Sequence, residues 1–306
     1  MRKFSLAACF DYPVYLVVRV FICVIQSLRM ETCQYLSKGL AILAADILGI
    51  RRELTDENLQ HAFPELSEKE RRNLTRRMWE HLFRLIAEVA HCPRKIREIN
   101  WKKHIHLQNV DAIHQMLCTD RPLILVTGHF GNFEIGGYLL GLLGYPTFTV
   151  ARNLDNPYLN DFIERFRGMT GQFILSKKDG PEPIITVLER SDTMAFLADQ
   201  SAGRRGCRVV FFGRQASAYK AIALLSLQYK APLAVCYATR RNDARPLSFE
   251  MHVSGVFDPL HPVPELEDVK TLTQWYTSLL EEGIRQHPDQ YWWIHDRWKS
   301  IGRSTS

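Results

Sequence analysis

Apolar residues fill the run from Tyr12 to Leu28, broken only by Arg19, Gln26 and Ser27. Asp11 can cap this run and Pro13 suits a first helical turn, so the pattern predicts a helix. At 1.5 Å per residue it would be about 25 Å long, slightly short of the roughly 30 Å hydrocarbon layer. Arg19 and Gln26 lie seven residues apart and so share one face. Residues 1–30 are therefore expected to form an N-terminal anchor that either spans a membrane or lies in its interface.

From Glu31 to about Cys92 the apolar spacing is helical. Ser67 and Glu70 form a capping box for a helix carrying Leu74, Met78, Leu82, Leu85 and Val89, which Pro93 is expected to end. Its other face carries Arg71, Arg72, Arg76, Arg77 and Arg84. That stripe suits solvent, lipid phosphates or a carrier protein.

Beyond residue 116 the texture changes to short apolar runs separated by helical stretches. The expected strands are Leu123–Thr127, Thr147–Val150, Gln172–Leu175, Thr193–Ala198, Cys207–Phe212 and Leu233–Ala238, with Leu247–Val253 alternating as a half-buried or edge strand would. This order predicts an α/β fold, a mixed sheet flanked by helices. The expected organisation is an anchor (1–30), a helical region packed on the core (31–115) and an α/β catalytic core (116–306).

Composition narrows the partners only slightly. Lys and Arg number 39 against 33 Asp and Glu, a formal charge of +6, which favours anionic surfaces. The seven cysteines are scattered without metal-ligand spacing, so a reducing compartment and no structural zinc are expected.

The candidate chemistry lies where the Leu123 strand meets Gly128-His129-Phe130-Gly131-Asn132-Phe133-Glu134. His129 sits on a strand-end turn, where sites form in α/β sheets. Glu134 falls in the first turn of the following helix, for which Asn132 is a suitable cap. A neutral imidazole can take a proton from an attacking hydroxyl while a carboxylate fixes its tautomer. His129 is thus the expected base and Glu134 its orienter, and amides of the glycine-rich turn are a source of oxyanion donors. A hydrolase is disfavoured, because neither a G-x-S-x-G elbow nor an H-E-x-x-H sequence occurs.

The same residues resemble the bacterial lipid A biosynthesis acyltransferases, a branch of the glycerolipid acyltransferase superfamily. The resemblance begins at Asn58-Leu59 with Ala62-Phe63-Pro64-Glu65 and passes through the His-x4-acid motif. It continues in Arg152 with Asp155-Asn156-Pro157, Arg167 before Gly171, Asp199-Gln200 and Phe211-Phe212-Gly213, and ends in the segment from Pro288 to Lys299. Asp296 departs from the pattern, standing where a basic residue is more familiar.

The resemblance implies a cytoplasmic-face inner-membrane enzyme. It would transfer an acyl chain from acyl carrier protein to a hydroxyl of a lipid A precursor held in the membrane, beside an anionic lipid surface. No metal, cofactor or nucleic-acid partner is implied. Arg152, Arg167 and Arg204 are candidate contacts for anionic substrate groups, while Asn132, Asp199 and Gln200 are candidate substrate-side organisers. The alternatives are the same chemistry with another glycolipid, phospholipid or aminolipid acceptor, a coenzyme A donor, or a non-catalytic lipid-binding protein.

Overall fold

The computed structural model describes residues 6–241, 245–261 and 263–299. Helices α1 (Leu6–Ser27), α2 (Met30–Ile42, extended by a π-helical turn to Ile47), α3 (Arg52–Ala62) and α4 (Glu68–Lys95) come first, before any strand. The sheet that follows has seven strands in the order β1-β9-β8-β2-β5-β3-β4. These are β1 (Ile105–Gln108), β2 (Leu123–Thr127), β3 (Thr147–Ala151), β4 (Gln172–Ser176), β5 (Thr193–Leu197), β8 (Leu233–Arg240) and β9 (Phe249–Phe257). Strands β8, β2, β5, β3 and β4 run parallel, and β9 reverses against β8. Helices α5 (Asp111–Leu117), α6 (Phe133–Leu142), α7 (Pro157–Gly168), α8 (Glu182–Glu189), α9 (Ala221–Gln228) and α10 (Val269–Gln286) connect or follow them. The fold is the mixed α/β sheet expected from the pattern.

Strand β2 shows why the apolar runs are so clear. Both its faces are covered, so Leu123 to Val126 are all buried, as continuous apolar runs in parallel sheets are. Two expectations change. Leu247–Val253 overlaps β9, which begins at Phe249 and is half-buried, one of the two readings expected, but lies one strand in from the edge because the four residues of β1 pair outside it. So short a strand leaves little periodicity to read. The second change is a hairpin, β6 (Cys207–Phe211) with β7 (Arg214–Ala218). Its two-residue loop, Phe212-Gly213, has φ of 51° and 73°, the left-handed pair that a type I′ turn requires. Phe212 tolerates that backbone because its ring is buried against Phe63, Phe211, Trp293 and Trp298. Tertiary packing here overrides local preference.

The helical expectations are also refined. Helix α4 has the capping box at Ser67 but runs past Pro93 to Lys95. A proline this close to a C-terminus forfeits one main-chain bond, and the last turn survives it. Helix α1 starts earlier than expected and contains Pro13. Its polar residues are spent on the protein: the Gln26 amide donates to the Ala90 carbonyl at 2.8 Å, and Arg19 lies 4.7 Å above the Phe162 ring. The arginine stripe of α4 is mostly paired too, with Arg71 on Asp56, Arg72 and Arg76 on Asp46, and Arg84 near Glu80 and Glu88. The lipid-phosphate reading of that stripe loses most of its free cations.

Candidate active site

The turn after β2 is built for close approach. A Cβ on Gly128 would come within 3.0 Å of the Asp199 Cβ. Gly131 has φ of +60°, and a Cβ there would meet the Ala238 carbonyl oxygen at 2.0 Å. Only glycine allows that backbone to lie against β8, where the Asn132 amide donates to the same carbonyl at 2.6 Å. Gly131→Ala is therefore expected to cost more than about 2 kcal/mol, by combining a forbidden φ with an overlap. Thermal melts of the purified variant would check this, and an unchanged midpoint would count against the backbone geometry.

His129 emerges from this turn, 19% exposed, between the rings of Trp292 at 4.8 Å and Phe133 at 5.4 Å. Its Nδ1 is 3.0 Å from Asp199 Oδ1. Sheet register produces the contact: Thr127 of β2 is paired with Leu197 of β5, and each functional residue lies two positions beyond. Asp199 is almost completely buried. Burial pushes its carboxyl up, but His129, by charge and hydrogen bonding, together with backbone N–H donors, outweighs this and leaves it below the ordinary carboxylate range. An ionised Asp199 accepts from Nδ1–H, which leaves the Nε2 lone pair available as a base.

Glu134 does something other than expected. Its carboxylate takes both prongs of the Arg167 fork, with Nε at 3.1 Å from Oε2 and Nη2 on Oε1, joining α6 to α7. The orienting contact to the imidazole is thus supplied by Asp199, while Glu134 meets a cation. The sequence singled out both carboxylates but could not show that β2 and β5, separated by two intervening strands in the chain, lie side by side.

The remaining candidates divide. Asn132 is fully buried, with its Oδ1 accepting from the Ile135 amide and its Nδ2 donating to Glu88 at 3.0 Å. It supports the turn from below and has no surface for substrate. Gln200 is half-buried and offers its carbonyl to Arg297. Arg152 is 77% exposed and pairs with the exposed Asp155, and Arg204 is exposed on a short 3-10 turn. Neither arginine is brought to His129 by a contact among the described residues.

Three features escaped the sequence reading. Arg297 is 2% exposed and donates to the Ser217 carbonyl. Burial pulls its pKa down, while the nearby Tyr291 and Asp199 act to raise it, so it adds a cation behind the carboxylate. The second feature is the locking of the C-terminal segment: Asn58 Nδ2 donates to the carbonyls of Trp293 at 2.7 Å and His295 at 2.9 Å, and the Trp292 amide donates to the His129 carbonyl. The third lies under the turn. Arg240 grips Glu88 with Nε at 2.5 Å and Nη2 at 2.8 Å, and its Nη1 donates to His81 Nδ1 at 2.9 Å. His81 Nε2–H in turn donates to the Gly131 carbonyl at 3.1 Å.

The sequence matches the family described as bacterial lipid A biosynthesis acyltransferase over residues 3–300. It is similar to the lipid A biosynthesis lauroyltransferase of Escherichia coli (strain K12), 27% identical over 268 residues, covering 86% of this chain and 83% of that one. The lipid A biosynthesis palmitoleoyltransferase of the same organism is 21% identical over 284 residues, covering 89% and 87%. A lipid A biosynthesis acyltransferase of Haemophilus influenzae is 22% identical over 250 residues, covering 80% and 74%. Because the family match runs through the helical region, the strand-end turn and the closing aromatic segment alike, this chain belongs to the bacterial lipid A biosynthesis acyltransferases.

Proposed function

We propose that the protein transfers a fatty acyl chain from the thioester of acyl carrier protein to a hydroxyl of a lipid A precursor, at the cytoplasmic face of the inner membrane. The observation that carries this reading is the His129–Asp199 contact at the C-terminal ends of two adjacent parallel strands. His129 Nε2 removes the proton as the acceptor oxygen attacks the thioester carbonyl, and Asp199 stabilises the imidazolium that results. Collapse of the tetrahedral intermediate releases the carrier thiol, to which the imidazolium returns its proton. An activated thioester and a deprotonated alcohol require no covalent enzyme intermediate.

The oxyanion needs donors, and two backbone candidates are already spent: the Gly131 amide donates to the Gln290 carbonyl and the Asn132 amide to Ala238. The N-terminus of α6 is a nearby source of positive potential. Glu134 and Arg167 act as a pair, in which Glu134 fixes the guanidinium beside that helix start. Helix α1 supports the membrane assignment, since its window Phe10–Ser27 has a mean hydropathy of 1.4 and no part of it is buried.

The test is direct. Purified protein is incubated with acyl carrier protein thioesters of graded chain length and a lipid A precursor, with acyl-coenzyme A in parallel, and the lipid product is weighed by mass spectrometry. The expected product gains one acyl mass from the carrier-bound donor. Turnover with coenzyme A alone would overturn the donor, and no acylated lipid with either donor would overturn the reaction.

A further inference from the structure

Helix α2 and its π-helical extension have two unlike faces. One carries Cys33, Ser37, Ala41, Ala44 and Ala45, small residues buried against α4. The other presents Tyr35, Leu36, Leu40, Leu43, Ile47 and Leu48, which are between 40% and 74% exposed. Monomeric soluble proteins rarely leave so continuous an apolar face uncovered.

Charge around this face is arranged to keep it apolar and rim it with cations. Asp46 lies within the run, but it is turned away and held by both Arg72 and Arg76. Lys38 is the one other charged residue between Glu31 and Arg51, and its long stem can carry its ammonium to a polar boundary. Exposed Arg29, Arg51 and Arg52 flank the two ends, against exposed Glu31 and Glu53. The backbone bends by 96° between the π-turn and α3, leaving Ile47 and Leu48, 71% and 61% exposed, at the apex. Helix α3 then returns to the protein, with Leu59 and Ala62 buried, so the bent pair forms a wedge.

We propose that this face is a second membrane-contact surface, distinct from α1, which lies in the interface of an anionic bilayer with Ile47 and Leu48 inserted below the head groups. This deepens the lipid-directed reading above and rests on it. A cationic rim around an apolar wedge matches the order in which an anionic leaflet presents phosphate and then hydrocarbon. The occupant it selects is a lipid surface, because the face follows directly on the exposed apolar helix α1 and its flanking cations Arg29, Lys38, Arg51 and Arg52 outnumber Glu31 and Glu53.

The test uses the full chain. Ile47→Cys is introduced where Cys9, Cys23, Cys118 and Cys207 are serine, and the thiol is labelled with an environment-sensitive fluorophore. A label at Ile99→Cys, which replaces a side chain 91% exposed, serves as control. With phosphatidylglycerol vesicles, the label at 47 is expected to shift to the blue and to lose intensity to spin-labelled lipid, while the label at 99 does neither. In the unlabelled chain, Ile47→Glu with Leu48→Glu is expected to lower vesicle partitioning about tenfold or more.

A label at 47 that stays in water while the protein floats with vesicles would overturn the proposal. So would a blue shift without vesicles that accompanies dimer formation in sedimentation. Acyl transfer measured on the same samples separates the two ideas: a wet label with normal transfer removes the wedge alone, whereas an inserted label without transfer supports the wedge and removes the reaction.

Discussion

Asp199→Asn is expected to lower kcat for acyl transfer by about 10³- to 10⁴-fold while leaving KM within a few-fold, because a carboxylate that fixes an imidazole's tautomer acts mainly in the transition state. In the native site Asp199 accepts from Nδ1–H at 3.0 Å. An asparagine can present its amide N–H instead, which reverses the tautomer and puts the proton on Nε2, where the lone pair is needed. It also removes the charge that stabilises the imidazolium. His129→Ala should fall to a similar level, and the double variant little further, since residues acting as one unit are not additive. Glu134→Gln gives the contrast. It weakens the ion pair with Arg167 and leaves the imidazole's partner in place, so its loss should be smaller. Steady-state kinetics with circular dichroism on the three variants would decide. If Glu134→Gln loses activity as Asp199→Asn should, and Asp199→Asn stays active, the imidazole is oriented by Glu134.

This contrast marks how far the chain could be read directly. Buried parallel strands announce themselves as apolar runs, so β2, β3, β4, β5 and β8 are legible nearly to the residue, and with them the turn that holds His129. The base follows from local order, because strand, glycine, imidazole and helix are contiguous. Its partner does not. Asp199 lies 70 residues downstream, after two other strands, and reaches His129 only because β5 is inserted between β2 and β3 in the sheet. Local spacing instead favoured Glu134, five residues away, whose helical position turns it to α7. The polar strand β7 was likewise illegible, since Arg214-Gln215-Ala216-Ser217-Ala218 has little strand preference and is held by pairing with β6. Arg240 closes a strand that reads as ending at Ala238. Its burial could be inferred only once α4 was known to cover it.

That burial sets the second large effect. Glu88→Ala is expected to destabilise the protein by about 3–5 kcal/mol, because removing one member of a buried ion pair strands the other charge. Glu88 is 1% exposed and Arg240 9%, so the guanidinium left behind would stay buried. The damage would spread to the site, since Glu88 also holds Asn132, and Arg240 holds His81 against the Gly131 carbonyl. Burial first, and then the Arg240 charge, keep the His81 pKa well below its usual range. The fold therefore binds fewer protons there than the unfolded chain, and this site's contribution to stability is lost as pH falls below about 6.5. Replacing both partners, Glu88→Met with Arg240→Met, should restore most of the stability lost by Glu88→Ala, as apolar substitutes for a buried pair often do. It should not restore turnover, because His81 and Asn132 would still lack the groups that hold the turn. Denaturant melts and kinetics on the single and double variants separate these roles. Recovery of both stability and kcat in the double variant would show that the network only fills space, and recovery of stability alone would show that it aims the catalytic turn.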